Sequence, residues 1–190
     1  MPTPSTMTPL GTAAPDFALP DVTTGETVTL ADFAGAKALL VVFMCNHCPY
    51  VQHVADQIAA LGRDYEGSDV AIVAIMPNDT DAYPEDGPEA TAAEVARRGY
   101  VFPYLFDEDQ TVAAAYGAAC TPDFFLYGPD RTLAYRGRLD SSRPNSGIPV
   151  TGEDLRAAIE AVRNDQPLLP DQIPSAGCSI KWRSKIQFLG

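Results

Sequence analysis

Between about residue 37 and residue 163 the apolar positions follow two alternating patterns. Unbroken runs at 38–44, within a strand expected over 37–44, and at 70–76 have the length and β-branched content of strands buried on both faces. Between them, Val51, Val54, Ala55, Ile58 and Leu61 recur at spacings of three and four. That spacing lays them along one stripe of a helix that begins near Pro49 and that Gly62 or Gly67 helps to end. Downstream the pattern predicts a turn at 77–80, a polar loop over 81–88, a helix over 89–98, a strand over 104–106 and a helix over 111–116. Two β-prone runs at 123–127 and 132–136 flank Gly128-Pro-Asp-Arg131 and read as an antiparallel hairpin. Thr151-Gly-Glu-Asp154 carries a capping pattern for a last helix that buries Leu155, Ile159 and Val162. Upstream, runs at 14–20 and 27–30 flank Thr24-Gly25, which predicts a short N-terminal hairpin.

Strands crossing over through helices make an α/β fold with a central mixed sheet flanked by helices. The expected organisation is one domain over 13–163, a mobile lead-in over 1–12 and a Pro-rich, irregular extension over 164–190 packed on the domain. The chain has 190 residues, 46% of them hydrophobic, enough for one ordinary core. A formal net charge of -12 argues against nucleic acid, whose phosphates are neutralised by Lys and Arg. No apolar run reaches the roughly 18 residues needed to span a bilayer, so no membrane association is expected. The first residues lack a basic segment followed by an apolar one, which favours a cytoplasmic protein.

Chemistry concentrates where the first core strand hands over to the first helix, at Cys45-Asn46-His47-Cys48-Pro49. Disulfide exchange needs a thiolate, and a helix N-terminus stabilises an anion through its unpaired N–H groups and dipole. Cys45 and Cys48, one turn apart, can form and break one small disulfide ring, so the only cofactor expected is that redox-active disulfide. Asn46, His47 and Pro49 tune the pair: His47 can hold positive charge beside Cys45, and Pro49 tolerates the first helical turn while stiffening it. Zinc is the alternative use of such a pair, but a structural site needs about four ligands and no second close pair exists. His53 faces away from the apolar stripe and reads as a solvated surface residue. The acidic stretch 79–89 lacks the spacing of a calcium loop and reads as solvated, so no metal is expected.

Cys120-Thr121-Pro122 stands directly before the strand at 123–127. A cis Thr121-Pro122 bond is expected there, turning the Thr121 backbone toward a bound peptide, so that Thr121 and Pro122 bind substrate. Cys120 reads as a core residue or as an auxiliary thiol near Cys45. Cys178, beside Trp182, reads as part of a packing clasp over 177–182 or as a resolving thiol.

Together these segments resemble the thioredoxin superfamily and, within it, the redoxin or peroxiredoxin-like branch related to the AhpC/TSA proteins. The resemblance is carried by Cys45-Asn-His-Cys-Pro49, Tyr83-Pro-Glu-Asp86, Phe102-Pro-Tyr-Leu105, Cys120-Thr-Pro-Asp-Phe-Phe125, Tyr135-Arg-Gly-Arg138 and Gly177-Cys-Ser-Ile-Lys-Trp182. It covers most of the chain and implies a thioredoxin-like fold, an exposed attacking thiol at Cys45 and a buried resolving thiol at Cys48. Three positions depart from the family's pattern. Peroxidases of this superfamily place Pro and Thr seven and three residues before the reactive Cys, where this chain has Ala38 and Val42. Their site arginine is replaced by the Cys120-Thr121-Pro122 segment, leaving Arg136, Arg138 or Arg143 to substitute. The buried carboxylate of thioredoxins, six residues before the first Cys, is Leu39 here.

The leading expectation is a thiol-disulfide oxidoreductase whose partners are protein or small-molecule disulfides and a thiol reductant. The alternatives are a thiol peroxidase acting through Cys45, with Cys48, Cys120 or Cys178 resolving, and a redox-gated or metal-binding interaction module.

Overall fold

The computed structural model describes residues 1–168 and 170–183. The chain forms, in order, β1 (Thr3–Pro4), β2 (Ala18–Pro20), β3 (Thr27–Thr29), β4 (Ala38–Phe43), α1 (Pro49–Tyr65), β5 (Val70–Met76), α2 (Pro88–Arg98), β6 (Tyr104–Phe106), α3 (Thr111–Tyr116), β7 (Cys120–Thr121), β8 (Asp123–Tyr127), β9 (Leu133–Tyr135), α4 (Glu153–Arg163) and β10 (Ala176–Ser179). The central sheet runs β6-β5-β4-β8-β9. Its β4–β5 and β5–β6 pairs are parallel, while β4–β8 and β8–β9 are antiparallel. This mixed sheet with helices on both faces is the thioredoxin-like α/β fold.

All six residues of β4 are buried because the sheet is covered on both sides. Ala38, Leu40 and Val42 point into one core with Val51, Val54 and Ile58 of α1 and Leu155, Ile159 and Val162 of α4. Leu39, Val41 and Phe43 point into the other, with Phe17, Leu19 and the α3 residues Val112, Ala113 and Tyr116. Alternation between two cores explains why the sequence shows a solid apolar run in place of a period of two. The N-terminal hairpin forms as β2 against β3. Helix α1 continues through Gly62, where an added Cβ would come within 2.8 Å of the Phe102 ring. The glycine therefore serves close packing, and the chain turns at Gly67, whose φ is +71°.

Two terminal expectations need correction. The lead-in is not free: Thr3 and Pro4 pair with Gly177 and Ala176, and Ser5 is buried. The extension is not wholly irregular: it contributes β10, which lies between β1 and β7. Two- to four-residue strands whose partners lie far away in sequence, Thr3 with Gly177 and Thr121 with Cys178, give almost no local periodicity to read. The expected extension also includes Leu169 and 184–190, which lie outside the described residues.

Candidate active site

The end of β4 delivers the Cys45–Cys48 loop to the start of α1, with Cys48 as the residue preceding the helix and Pro49 as its first. This corrects the expected position of Cys45, which lies a turn upstream of the helix terminus. It is Cys48 that the first-turn amides and the helix dipole reach. Opposite them the Thr121–Pro122 peptide is cis, as expected. Thr121 touches both sulfurs: its Oγ1 lies 3.4 Å from Cys45 Sγ, and its carbonyl lies 3.2 Å from Cys48 Sγ, accepting a hydrogen bond from it while Cys48 carries its proton.

Neither sulfur is the exposed attacker the resemblance implies, since Cys45 is 1% and Cys48 0% exposed. The electrostatics favour ionisation of Cys48 over Cys45. Cys45 donates to Cys48 and thereby lowers the Cys48 thiol to about 5, with the Val51 amide and Thr121 acting in the same direction against the cost of burial. Keeping that proton, together with burial and the neighbouring Asp86 carboxylate, pushes Cys45 far above the ordinary thiol range. Of the two, Cys48 is the easier to ionise.

Asp86 is the residue that sequence reasoning missed. It is fully buried, although its acidic stretch reads as solvated. Its Oδ1 accepts from the backbone amides of Asn46 (2.8 Å) and His47 (3.2 Å), and its Oδ2 from His47 Nδ1 (2.6 Å) and Asn78 Nδ2 (2.8 Å). The loop is fastened further by Asn46 Nδ2, which donates to the Glu85 carbonyl at 2.9 Å and to Thr91 Oγ1 at 3.1 Å. His47 also stacks on Tyr83, with ring centroids 5.1 Å apart. So His47 turns to a buried carboxylate, whose charge offsets the cationic influence expected beside Cys45. The available signal was the Tyr83-Pro-Glu-Asp86 block, but nothing local says which of its acids turns inward.

Among the described residues, Cys45, His47 and Asp86 form the one group of metal-ligating side chains whose donor atoms lie within 4.8 Å of one another. His47 Nδ1 and both Asp86 oxygens are already engaged in hydrogen bonds, so a metal would have to displace these contacts. The other expected residues fall elsewhere. Cys120 is buried with its Sγ 3.6 Å from the Pro122 carbonyl, and burial raises its thiol, which suits the core reading. Arg136 pairs with Asp123, Arg138 with Asp154, and Arg143 donates to the Ser142 carbonyl. His53 is half-buried and bonded to Ser142 Oγ at 2.7 Å, so it is not the solvated residue expected. The Thr121 edge expected to receive a substrate strand is already filled, because Thr121 pairs with Cys178 of β10.

Residues 10–136 match the AhpC/TSA family. A Geobacillus kaustophilus structure described as an uncharacterized conserved protein superposes with a TM-score of 0.94 at 49% identity, covering 97% of each chain. A Chlorobium tepidum structure named as a thiol:disulfide interchange protein DsbE superposes with a TM-score of 0.64 at 22% identity, over 80% of this chain and 96% of that one, and shows the shared fold. A Mycobacterium tuberculosis protein named as a peroxiredoxin is 32% identical over 108 residues, 57% of this chain and 63% of the relative. This chain thus spans less than two thirds of that relative's length.

Proposed function

Because this chain belongs to the AhpC/TSA family, within the thioredoxin superfamily, we propose that Cys45 and Cys48 are its dithiol–disulfide couple and that the protein is a thiol-disulfide oxidoreductase. The observation that carries this reading is geometric: Cys45 and Cys48 lead into the start of α1 and both sulfurs touch Thr121, directly before the cis proline, while the electrostatics ease ionisation of Cys48 and hinder that of Cys45. A thiolate attacks disulfides and, when attacked, leaves readily because its conjugate thiol is acidic.

In the reducing direction the Cys48 thiolate attacks one sulfur of a disulfide and forms a mixed disulfide, releasing the other sulfur as a thiolate. Cys45 gives up its proton to that departing thiolate and attacks Cys48, which closes the Cys45–Cys48 disulfide and releases the second sulfur as a thiolate that water protonates. Two electrons pass from the pair to the substrate. Asp86 is a positioning residue here: it holds the Asn46 and His47 amides, and its charge keeps the proton on Cys45 until Cys48 has reacted.

Dithiothreitol-driven reduction of bis(2-hydroxyethyl) disulfide tests the proposal. Cys48→Ser is expected to cut turnover at least about 100-fold, and peptide mapping of the oxidised wild type to show a Cys45–Cys48 disulfide. Unchanged turnover, or no such disulfide, overturns it.

A second reading, thiol peroxidase, is supported by one contact. The Thr121 hydroxyl, 3.4 Å from Cys45 Sγ, stands where a bound peroxide could be oriented although Val42 carries no hydroxyl. Cys45 would become a sulfenic acid that Cys48 resolves with loss of water. The hold on the Cys45 proton places this reading second. Stopped-flow reaction with hydrogen peroxide no faster than free cysteine, and equal in Thr121→Val, removes it.

A further inference from the structure

Both sulfurs of the pair are covered, and strand β10 lies across the edge beside them. Its register puts Cys178 directly opposite Thr121, the residue whose carbonyl takes the Cys48 thiol. Cys178 is half-buried and packs against the core that contains Cys45 and Cys48. It is thus the most solvent-accessible of the four cysteines, all of which are free thiols in this structure.

The seat of β10 is built for close approach. A Cβ on Gly177 would fall 1.9 Å from the Thr121 carbonyl oxygen and 2.7 Å from its carbon, and these are backbone atoms that cannot step aside. Any side chain there would lift the strand from its place. Ser175 Oγ donates to the Pro122 carbonyl at 2.7 Å, and Lys181 N donates to Asn78 Oδ1 at 2.9 Å, so the strand is fastened on both sides of Cys178. Asn78 is also a donor to Asp86, which ties the same clasp to the floor of the site.

We infer that Cys178 is a third redox thiol, through which a low-molecular-weight thiol reduces the buried Cys45–Cys48 disulfide. This rests on the proposed Cys45–Cys48 couple. The side of Thr121 that faces β10 is taken by the chain itself, so an extended peptide cannot pair on that side, whereas a small thiol needs only to reach Cys178.

The relay balances in three exchanges. The Cys178 thiolate attacks Cys48 in the Cys45–Cys48 disulfide, forming Cys48–Cys178 and releasing Cys45 as a thiolate, which takes up the proton Cys178 lost. A small thiolate then attacks the Cys178 sulfur and forms a mixed disulfide, with Cys48 as the leaving thiolate. A second small thiolate attacks the outer sulfur of that mixed disulfide, releasing a small-molecule disulfide and reduced Cys178. Overall, two small thiols are oxidised and the couple is reduced by two electrons. In the reduced protein burial and the adjacent Cys48 sulfur hold the Cys178 thiol up at about 11. Once Cys48 is tied in a disulfide its charge is gone, and Cys178 ionises more readily at the step that needs it.

The test is disulfide mapping of the full chain after treatment with diamide and an alkylating quench, together with the rate at which 2-mercaptoethanol reduces the oxidised protein. In Cys45→Ser, a Cys48–Cys178 disulfide is expected. In Cys178→Ser and Cys178→Ala, the Cys45–Cys48 disulfide still forms, but its reduction by 2-mercaptoethanol is at least about tenfold slower. Gly177→Ala, which unseats β10, is expected to lose the Cys48–Cys178 link while keeping Cys45–Cys48. If Cys45→Ser yields no Cys48–Cys178 disulfide and Cys178→Ser is reduced at the wild-type rate, the relay is overturned and the couple stands. If Cys178→Ser forms no Cys45–Cys48 disulfide, the proposed couple itself fails.

Discussion

Among the buried carboxylates of this molecule, Asp123 and Asp86 face opposite tasks. Asp123, at the start of β8, takes Arg136 at 3.2 Å and the Ala119 amide at 3.1 Å through the same oxygen. Arg136 in turn lies over the Phe125 ring, 3.8 Å from its centroid, and donates to Thr6 and to the Gly117 carbonyl. That pair ties the N-terminal segment to the sheet. Asp86 spends its four contacts on the cysteine loop and its support, and its charge reaches Cys45. Both cost desolvation, yet only the second touches the thiols. The contrast separates a charge that holds the fold from one that sets where a proton sits.

The comparison breaks first at Arg136. Removing one partner of a buried ion pair leaves the other charge uncompensated, so Arg136→Ala should lose about 3–5 kcal/mol of unfolding free energy in urea titrations, with the titration of Cys45 and Cys48 unchanged. A loss below about 1 kcal/mol would show that the clasp is dispensable.

Asp86→Asn sharpens the other side. Asparagine keeps one acceptor oxygen for the loop amides but drops the charge, so a smaller loss of about 1–3 kcal/mol is expected, together with a fall in the Cys45 thiol pKa. An unchanged pH profile for thiol alkylation would separate Asp86 from the redox chemistry.

A third buried carboxylate supplies the smallest effect. Asp107 is raised to about 6 by burial, against the amides of Ala113 and Val112. Its folded form binds a proton more tightly than the unfolded chain does. That contribution is complete below about 4 and is lost as pH rises through about 6. Asp107→Asn should flatten stability against pH over that window, and a slope identical to wild type would count against burial as the cause.

The sheet, its helices, the cysteine pair and the cis proline were legible because each announces itself locally: solid apolar runs, a stripe at helical spacing, a Cys-x-x-Cys at a strand-to-helix junction and Thr-Pro before a strand. What stayed hidden was set by long-range contact. Asp86 reaches His47 across 39 residues, and no pattern marks it off from Glu85 or Glu89. Which cysteine ionises more easily depends on where the helix begins and on that same carboxylate, so spacing pointed to Cys45 where the electrostatics ease ionisation of Cys48. Strand β10 has four residues, among them the glycine and cysteine that matter, and its register against Thr121 exists only in three dimensions.

Which cysteine of the pair ionises first is tested most directly by thiolate absorbance near 240 nm, followed from pH 3 to pH 10 on the reduced wild type, Cys45→Ser and Cys48→Ser. The account predicts a wild-type transition near 5 that disappears in Cys48→Ser and survives in Cys45→Ser, since a serine hydroxyl can still donate to Cys48. A transition near 5 that vanishes with Cys45 and persists without Cys48 would contradict it.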